Sequence, residues 1–103
     1  TRVVWISVIR SFVDDTTADV YYGHNSKSAR RLPRTLWPVL RRKLDAVHHA
    51  RRPQDLRLPA GNRLETLKGA RRGTLSLRMN EQYRITFRWE NGDAYEVRCE
   101  DYH

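Results

Sequence analysis

Six side chains in the last third of this sequence have the types needed to cleave RNA: Glu65, Lys68, Arg84, Asp101, Tyr102 and His103. Cutting an RNA strand requires that the 2′-hydroxyl lose its proton. The extra charge on the phosphorane must be stabilised, and the leaving 5′-oxygen must be protonated. A carboxylate such as Glu65 can take a proton, and a histidine, with an ordinary pKa of about 6.5, exchanges one near neutrality. The planar fork of an arginine such as Arg84 suits a pentavalent phosphate. None of these steps needs a metal. Each residue also has a plain structural reading. Arg84 can simply pair with Glu100, Lys68 can be a solvated loop lysine, and His103, last in the sequence, can be a frayed tail. Asp101 either orients His103 or caps the sheet edge. Tyr102 can stack on a base or hydrogen-bond a phosphate.

A sheet must hold these groups. Leu75, Leu77 and Met79 alternate with polar residues, as do Tyr83, Ile85, Phe87 and Trp89, and then Tyr95, Val97 and Cys99. This two-residue period predicts half-buried antiparallel strands. A three-residue loop at Asn80-Glu81-Gln82 sets Met79 opposite Tyr83 and Leu77 opposite Ile85. Asn91-Gly92 signals a second hairpin. A strict two-residue loop would set Trp89 opposite Ala94 and Arg88 opposite Tyr95, which mismatches the apolar faces. The expectation is therefore an odd-length loop with a bulge near Gly92. Phe87 then faces Val97, Ile85 faces Cys99, Arg88 pairs with Glu96 and Arg84 with Glu100. In that register Arg78, Arg84, Arg98 and Tyr102 share the polar face. A further short strand is expected over Arg63–Leu67, followed by a basic loop from Lys68 to Gly73.

Upstream segments supply the other layer. Val3–Phe12 is rich in Val, Ile and Trp and predicts a strand. A short helix is expected over Thr17–Tyr22, with Thr16 as N-cap, Asp19 as its capping-box partner and Gly23 as its end. The main helix is expected to start at an N-cap Thr35, with Pro38 in its first turn. Leu36, Val39, Leu40, Leu44 and Val47 recur at helical spacing and predict a core-facing stripe. Pro53 ends that helix. The whole reads as α+β, an antiparallel sheet of about four to five strands on two to three helices.

The chain carries 20 Lys and Arg against 12 acids, a formal net charge of +8. Lys27, Arg30, Arg31, Arg34, Arg41, Arg42, Lys43, Arg51 and Arg52 face one acid, Asp45, between 27 and 52, so the excess is concentrated on one helix and its flanks. Such a stripe neutralises phosphates, although arginine stems can also cover apolar surface with solvated heads. Arg34, Arg41, Arg42, Lys43, Arg51, Arg52, Arg71, Arg72 and Arg78 are the candidate RNA or ribosome contacts. At 103 residues the chain is read as one domain, 1–103. A single cysteine, Cys99, permits no internal disulfide and suits a reducing compartment, here the cytoplasm. No metal-ligand spacing is present: His48 and His49 are adjacent and would point about 100° apart on a helix. No run reaches the ~18 apolar residues of a membrane span.

Four segments carry a resemblance: Asn-Arg-Leu-Glu-Thr-Leu-Lys-Gly at 62–69, Tyr-Arg-Ile-Thr-Phe-Arg-Trp at 83–89, Gly-Asp-Ala-Tyr at 92–95, and Asp101-Tyr102-His103. They resemble the HigB-type host-killing toxins of plasmid-maintenance systems, within the RelE-like superfamily. Ile-Arg-Ser-Phe at 9–12 resembles the family's usual beginning, so residues 1–7 lie upstream of the usual start. The resemblance implies a RelE-like, microbial-ribonuclease-type toxin fold. It also implies a ribosome-dependent endoribonuclease that cuts mRNA in the A site of the small ribosomal subunit, without a metal or other cofactor. The implied partner is a HigA-like helix-turn-helix antitoxin, and the implied compartment is the cytoplasm. By motif position Arg84 is the phosphate-binding arginine and Lys68 the lysine of the Leu-Lys-Gly motif. Glu65 departs from the family, where many members have histidine; a carboxylate base at Glu65 with His103 as acid is the expected arrangement. Two alternatives come with other functions: a gyrase-inhibiting toxin of the ParE type, and a basic RNA-binding module without activity.

Overall fold

The computed structural model describes residues 8–102. His103 and residues 1–7 lie outside the described residues, so the expected roles of His103 and of the first half of the Val3–Phe12 segment are not placed. A four-stranded antiparallel sheet is formed in chain order by β1 (Glu65–Thr66), β2 (Thr74–Arg78), β3 (Tyr83–Glu90) and β4 (Asp93–Asp101). Helices α1 (Asp15–Tyr21) and α2 (Trp37–His49) cover one face. Leu77, Ile85, Phe87, Ala94 and Val97 from the sheet meet Val20, Leu40, Leu44 and Val47 from the helices, all without solvent exposure. Each large side chain buried there contributes on the order of 1.5–3 kcal/mol. The expected α2 stripe is therefore the core face, joined by the buried Trp37, whose indole Nε1 donates to Leu32 O at 2.9 Å.

The helix starts differ from expectation. Asp14, not Thr16, caps α1: its Oδ1 accepts from Thr17 N at 2.9 Å. A charged carboxylate at this position suits the positive helix end. The Thr16 hydroxyl instead donates to Ser28 O, and Asp19 accepts from the Ser26 hydroxyl. Thr35 does not cap α2 either. It lies inside a 3-10 turn, Arg34–Leu36, and α2 begins at Trp37 with Pro38 where a missing N–H costs nothing.

The segment before α1 is no continuous strand over its described part. Ile9 and Phe12 make isolated parallel bridges to Ala94 and Val97 on β4. The interruption falls opposite Glu96, whose backbone is left-handed (φ +52°) and whose N–H is taken by the Ser11 hydroxyl at 2.8 Å. β1 is shorter than Arg63–Leu67 because Arg63 is itself left-handed (φ +45°).

The β2–β3 register is the expected one, with Leu77 opposite Ile85. The β3–β4 hairpin is not. Trp89 pairs with Ala94 and Arg88 with Tyr95 across a two-residue Asn91-Gly92 turn, both turn residues at positive φ (+50° and +83°). The apolar faces are matched instead by a bulge in the strand, between Thr86 and Arg88 on the β3 side and at Glu96 on the β4 side. An extra residue there shifts the parity of β4, so Ile85 still meets Cys99 and Arg84 still meets Glu100. The favoured twist of the Asn-Gly turn is kept and the mismatch is absorbed by the bulge. Arg88 and Glu96 are not register partners, yet their side chains reach within 3.5 Å.

Candidate active site

On the face of the sheet away from the helices, alternation lines up Ser76 and Arg78 of β2, Arg84 and Thr86 of β3, and Arg98 and Glu100 of β4, with Tyr102 just beyond. Glu65 joins them because β1 sets it opposite Ser76. Arg63, Glu65, Ser76, Arg78, Arg84 and Tyr102 line a cleft of about 200 Å³. Three sequence candidates for catalysis, Glu65, Arg84 and Tyr102, thus share one concavity with the candidate RNA contact Arg78.

Arg84 does not float in this cleft. Its Nε and Nη2 donate to Glu100 Oε1 at 2.9 and 2.7 Å. Arg71, from the glycine-bounded loop, grips the same carboxylate with two nitrogens at 2.6 and 3.1 Å and also donates to Thr86 Oγ1 at 3.2 Å. The Arg98 guanidinium stands 4.0 Å from it. Glu100 is only 10 % exposed. Burial by itself would raise its pKa, but the hydrogen bonds and charges of Arg71 and Arg84 outweigh that and hold the carboxyl below its ordinary value. The Glu100 hydrogen bond in turn raises the pKa of Arg71. One carboxylate therefore lets two like charges stand side by side. Glu100 was visible in the sequence as the cross-strand partner of Arg84; the recruitment of Arg71 from a loop carried no sequence signal.

Tyr102 is fixed by its own contacts. Its hydroxyl donates to Asn80 O at 2.9 Å, its backbone N–H to Gln82 O, and the Arg84 guanidinium lies 5.4 Å from its ring centroid. Arg78 Nε donates to Asn80 O at 3.2 Å. Asp101 sits at the strand edge opposite Tyr83 and accepts from Gln82 Nε2 at 2.8 Å. Lys68 is exposed on the loop after β1 and does not line the cleft.

The candidate RNA contacts on the helical side are spread over several roles. Arg41 Nε donates to Val20 O at 2.9 Å, satisfying a carbonyl near the end of α1. Lys43 Nζ donates to Asn62 Oδ1, and burial lowers its pKa, as does the charge of Arg42. Arg34 lies 5.5 Å over the Trp37 ring and donates to Asn25. Arg52 pairs with Asp55 at 3.4 Å. Arg42, Arg51, Arg52 and Arg72 are exposed. Among the described residues no three His, Cys, Asp or Glu side chains come together as a metal site would need, and no helix is long and apolar enough to cross a membrane.

The fold and this polar face accord with one family, the HigB-like toxins, which are RelE-like toxins of type II toxin–antitoxin systems; its pattern matches residues 10–103. The chain belongs to this HigB-like toxin family. Toxin HigB-1 of Vibrio cholerae is 41% identical over 73 residues, covering 71% of this chain and 77% of that protein. An uncharacterized protein of Haemophilus influenzae is 38% identical over 83 residues, 81% of this chain and 80% of its own length. Endoribonuclease HigB of Proteus vulgaris is 49% identical over 41 residues, 40% of this chain and 45% of that enzyme. Membership in a type II toxin family implies an antitoxin partner.

Proposed function

We propose that this toxin is an endoribonuclease that cuts mRNA in the ribosomal A site, and so inhibits translation, by metal-independent attack of the 2′-hydroxyl. The observation that carries the reading is the convergence of Glu65, Arg84 and Tyr102 on one cleft, with Arg84 oriented by Glu100. The name of the Proteus vulgaris relative, an endoribonuclease, supports the same class of reaction.

In this mechanism Glu65 takes the 2′-hydroxyl proton and the oxygen attacks the adjacent phosphorus. Arg84 faces the equatorial oxygens of the phosphorane with the N–H groups that Glu100 leaves free. A preorganised donor of this kind is worth about 10²–10³ in rate. Lys68 adds positive charge from the following loop. Tyr102, its hydroxyl held by Asn80 O, stacks on the base beside the scissile phosphate. His103 protonates the departing 5′-oxygen, and Asp101 orients it. The exposed Arg42, Arg51 and Arg52 hold the toxin on ribosomal RNA, in the cytoplasm, where a HigA-like helix-turn-helix antitoxin restrains it.

Primer extension on an mRNA, with and without translating ribosomes, tests this reading. Wild type should cut on ribosomes alone, Glu65→Gln and His103→Ala should each lose cutting, and a chelator should change nothing. Full cutting by Glu65→Gln would remove Glu65 as the base. No cutting by wild type would leave the gyrase-type or the purely binding reading, which a DNA supercoiling assay separates.

A further inference from the structure

A second cleft, larger than the first, opens on the same face of the sheet. It measures about 470 Å³, and its walls include Arg71, Arg72, Arg88 and Arg98 with one acid, Glu96. Thr86, in the middle of β3, and Thr74, at the start of β2, also line it, small side chains that let a ligand backbone come close. That volume lies in the range of a small-molecule or nucleotide pocket rather than of a single phosphate. The two clefts are joined by one chain of contacts: Arg84 lines the first, Arg71 lines the second, and Glu100 holds both.

The cations of this cleft are not equally committed. Arg88 is paired with Glu90 and, at 3.5 Å, with Glu96. Arg98 stands 3.7 Å from Asp14 and 4.0 Å from Glu100, both long contacts. The Arg72 side chain is exposed and has no ion pair among the described residues. An arginine has five N–H donors in a fixed fork, so one gripped from behind, as Arg71 is, still presents donors forward.

We infer that this second cleft binds the phosphate and ribose next to the scissile phosphate of an RNA strand, with Arg72 and Arg71 as its anion ligands and Arg98 as a supporting charge. The inference rests on the reading of the first cleft as the cleavage site, and it names where the substrate strand goes next. A strand crossing the Glu100 contact meets Arg84 at one phosphate and Arg71 with Arg72 at the neighbouring one. The carboxylate between them keeps the two guanidiniums from repelling and leaves a gap that an anion does not fill.

The test uses short oligoribonucleotides whose 2′-hydroxyls are methylated, so that they bind without being cut. A dinucleotide with one internal phosphate is compared with the same dinucleotide carrying one more phosphate at either end. Binding is followed on the full chain through the arginine Nε–H resonances. The first ligand should shift Arg84 and leave Arg72 in place. The added phosphate, at one end and not the other, should shift Arg71 and Arg72 and tighten binding about tenfold, as one contact to a charged group does. Arg72→Ala with Arg98→Ala should abolish that gain, Arg72→Lys should keep most of it, and the salt slope should fall by about 0.7 per lost phosphate contact.

A gain that survives in the double variant, or no gain from either added phosphate, overturns the inference. So does a hexaglutamate peptide that shifts Arg71 and Arg72 where RNA does not, which would make the cleft a site for an acidic protein segment. Primer extension with the wild type, run in parallel, keeps the two readings apart. Cutting without the phosphate gain removes the second cleft alone, whereas the gain without cutting removes the cleavage reading and leaves only a two-phosphate RNA-binding face.

Discussion

Arginine is abundant on both sides of this molecule, and the two sides use it differently. On the helical side part of it faces the fold and the rest, Arg42, Arg51 and Arg52, faces solvent. Arg41 satisfies a carbonyl at the end of α1, and Arg34 lies over Trp37; Lys43 is likewise tied to Asn62. On the sheet side it faces a carboxylate. Arg71 and Arg84 share Glu100 and stand at the edges of two open clefts. A charge count puts the excess at 27–52, but charge density alone does not mark a reaction site. What distinguishes the proposed site is an arginine oriented by a buried partner while part of its fork faces open space.

The largest effect is expected from Arg84→Ala, which removes a preorganised donor from the cleft. Single-turnover cleavage of ribosome-bound mRNA should fall by about 10²–10³, with thermal stability little changed because the carboxylate keeps Arg71.

Glu100→Gln comes next and has a two-part signature. RNA affinity should hold or rise, because a negative charge is gone, while the cleavage rate drops roughly tenfold as Arg84 loses its orientation. A loss of both together would mean that Glu100 only supports the fold. The same variant makes a pH prediction. The folded pKa of Glu100 is depressed, so its stabilisation is complete above the ordinary carboxylate value and is lost as pH falls through the lower folded value. Asp93 and Asp55, also depressed, act in the same direction. The Tm of wild type should therefore fall more steeply than that of Glu100→Gln as pH drops below about 4.3, the ordinary glutamate value, and parallel curves would deny the buried pairing.

How much of this contrast was legible in the sequence follows from the range of each interaction. Strand alternation is local, so the polar face of Arg78, Arg84, Arg98 and Tyr102, and the pairing of Arg84 with Glu100, could be read from spacing. The hairpin could not be read fully. Face matching demanded an extra residue near Gly92, whereas Asn91-Gly92 kept its two-residue turn and Glu96 took the bulge instead. Thr16 looked like a cap on pattern, but Asp14 offered a better acceptor and Ser28 a competing partner. The gripping of Glu100 by Arg71 spans 29 residues and comes from a loop. No periodicity reports such a contact. The helical stripe was legible as basic, but the geometry that ties Arg41 to α1 needs the tertiary structure.

The smaller effects belong to the helical side. Arg41→Ala should lower stability by about 1 kcal/mol in denaturant unfolding, through loss of its hydrogen bond to Val20 O, which keeps the Gly23 N–H, and should change cleavage on ribosomes only as far as folding does. Arg42→Glu, at an exposed position, should leave stability within about 0.5 kcal/mol and weaken ribosome association in a salt-dependent way. Were Arg42→Glu to stop cleavage at saturating toxin while Arg84→Ala did not, the assignment of the two sides would have to be exchanged.

The most direct test places the two sides in one assay. Cleavage of ribosome-bound mRNA is measured in a single turnover, at toxin concentrations that saturate the ribosome, for wild type, Arg84→Ala and Arg42→Glu. Arg84→Ala should lose at least about a hundredfold in rate, and Arg42→Glu should recover the wild-type rate once binding is saturated. An Arg84→Ala rate equal to wild type at saturation would contradict this assignment of the two sides.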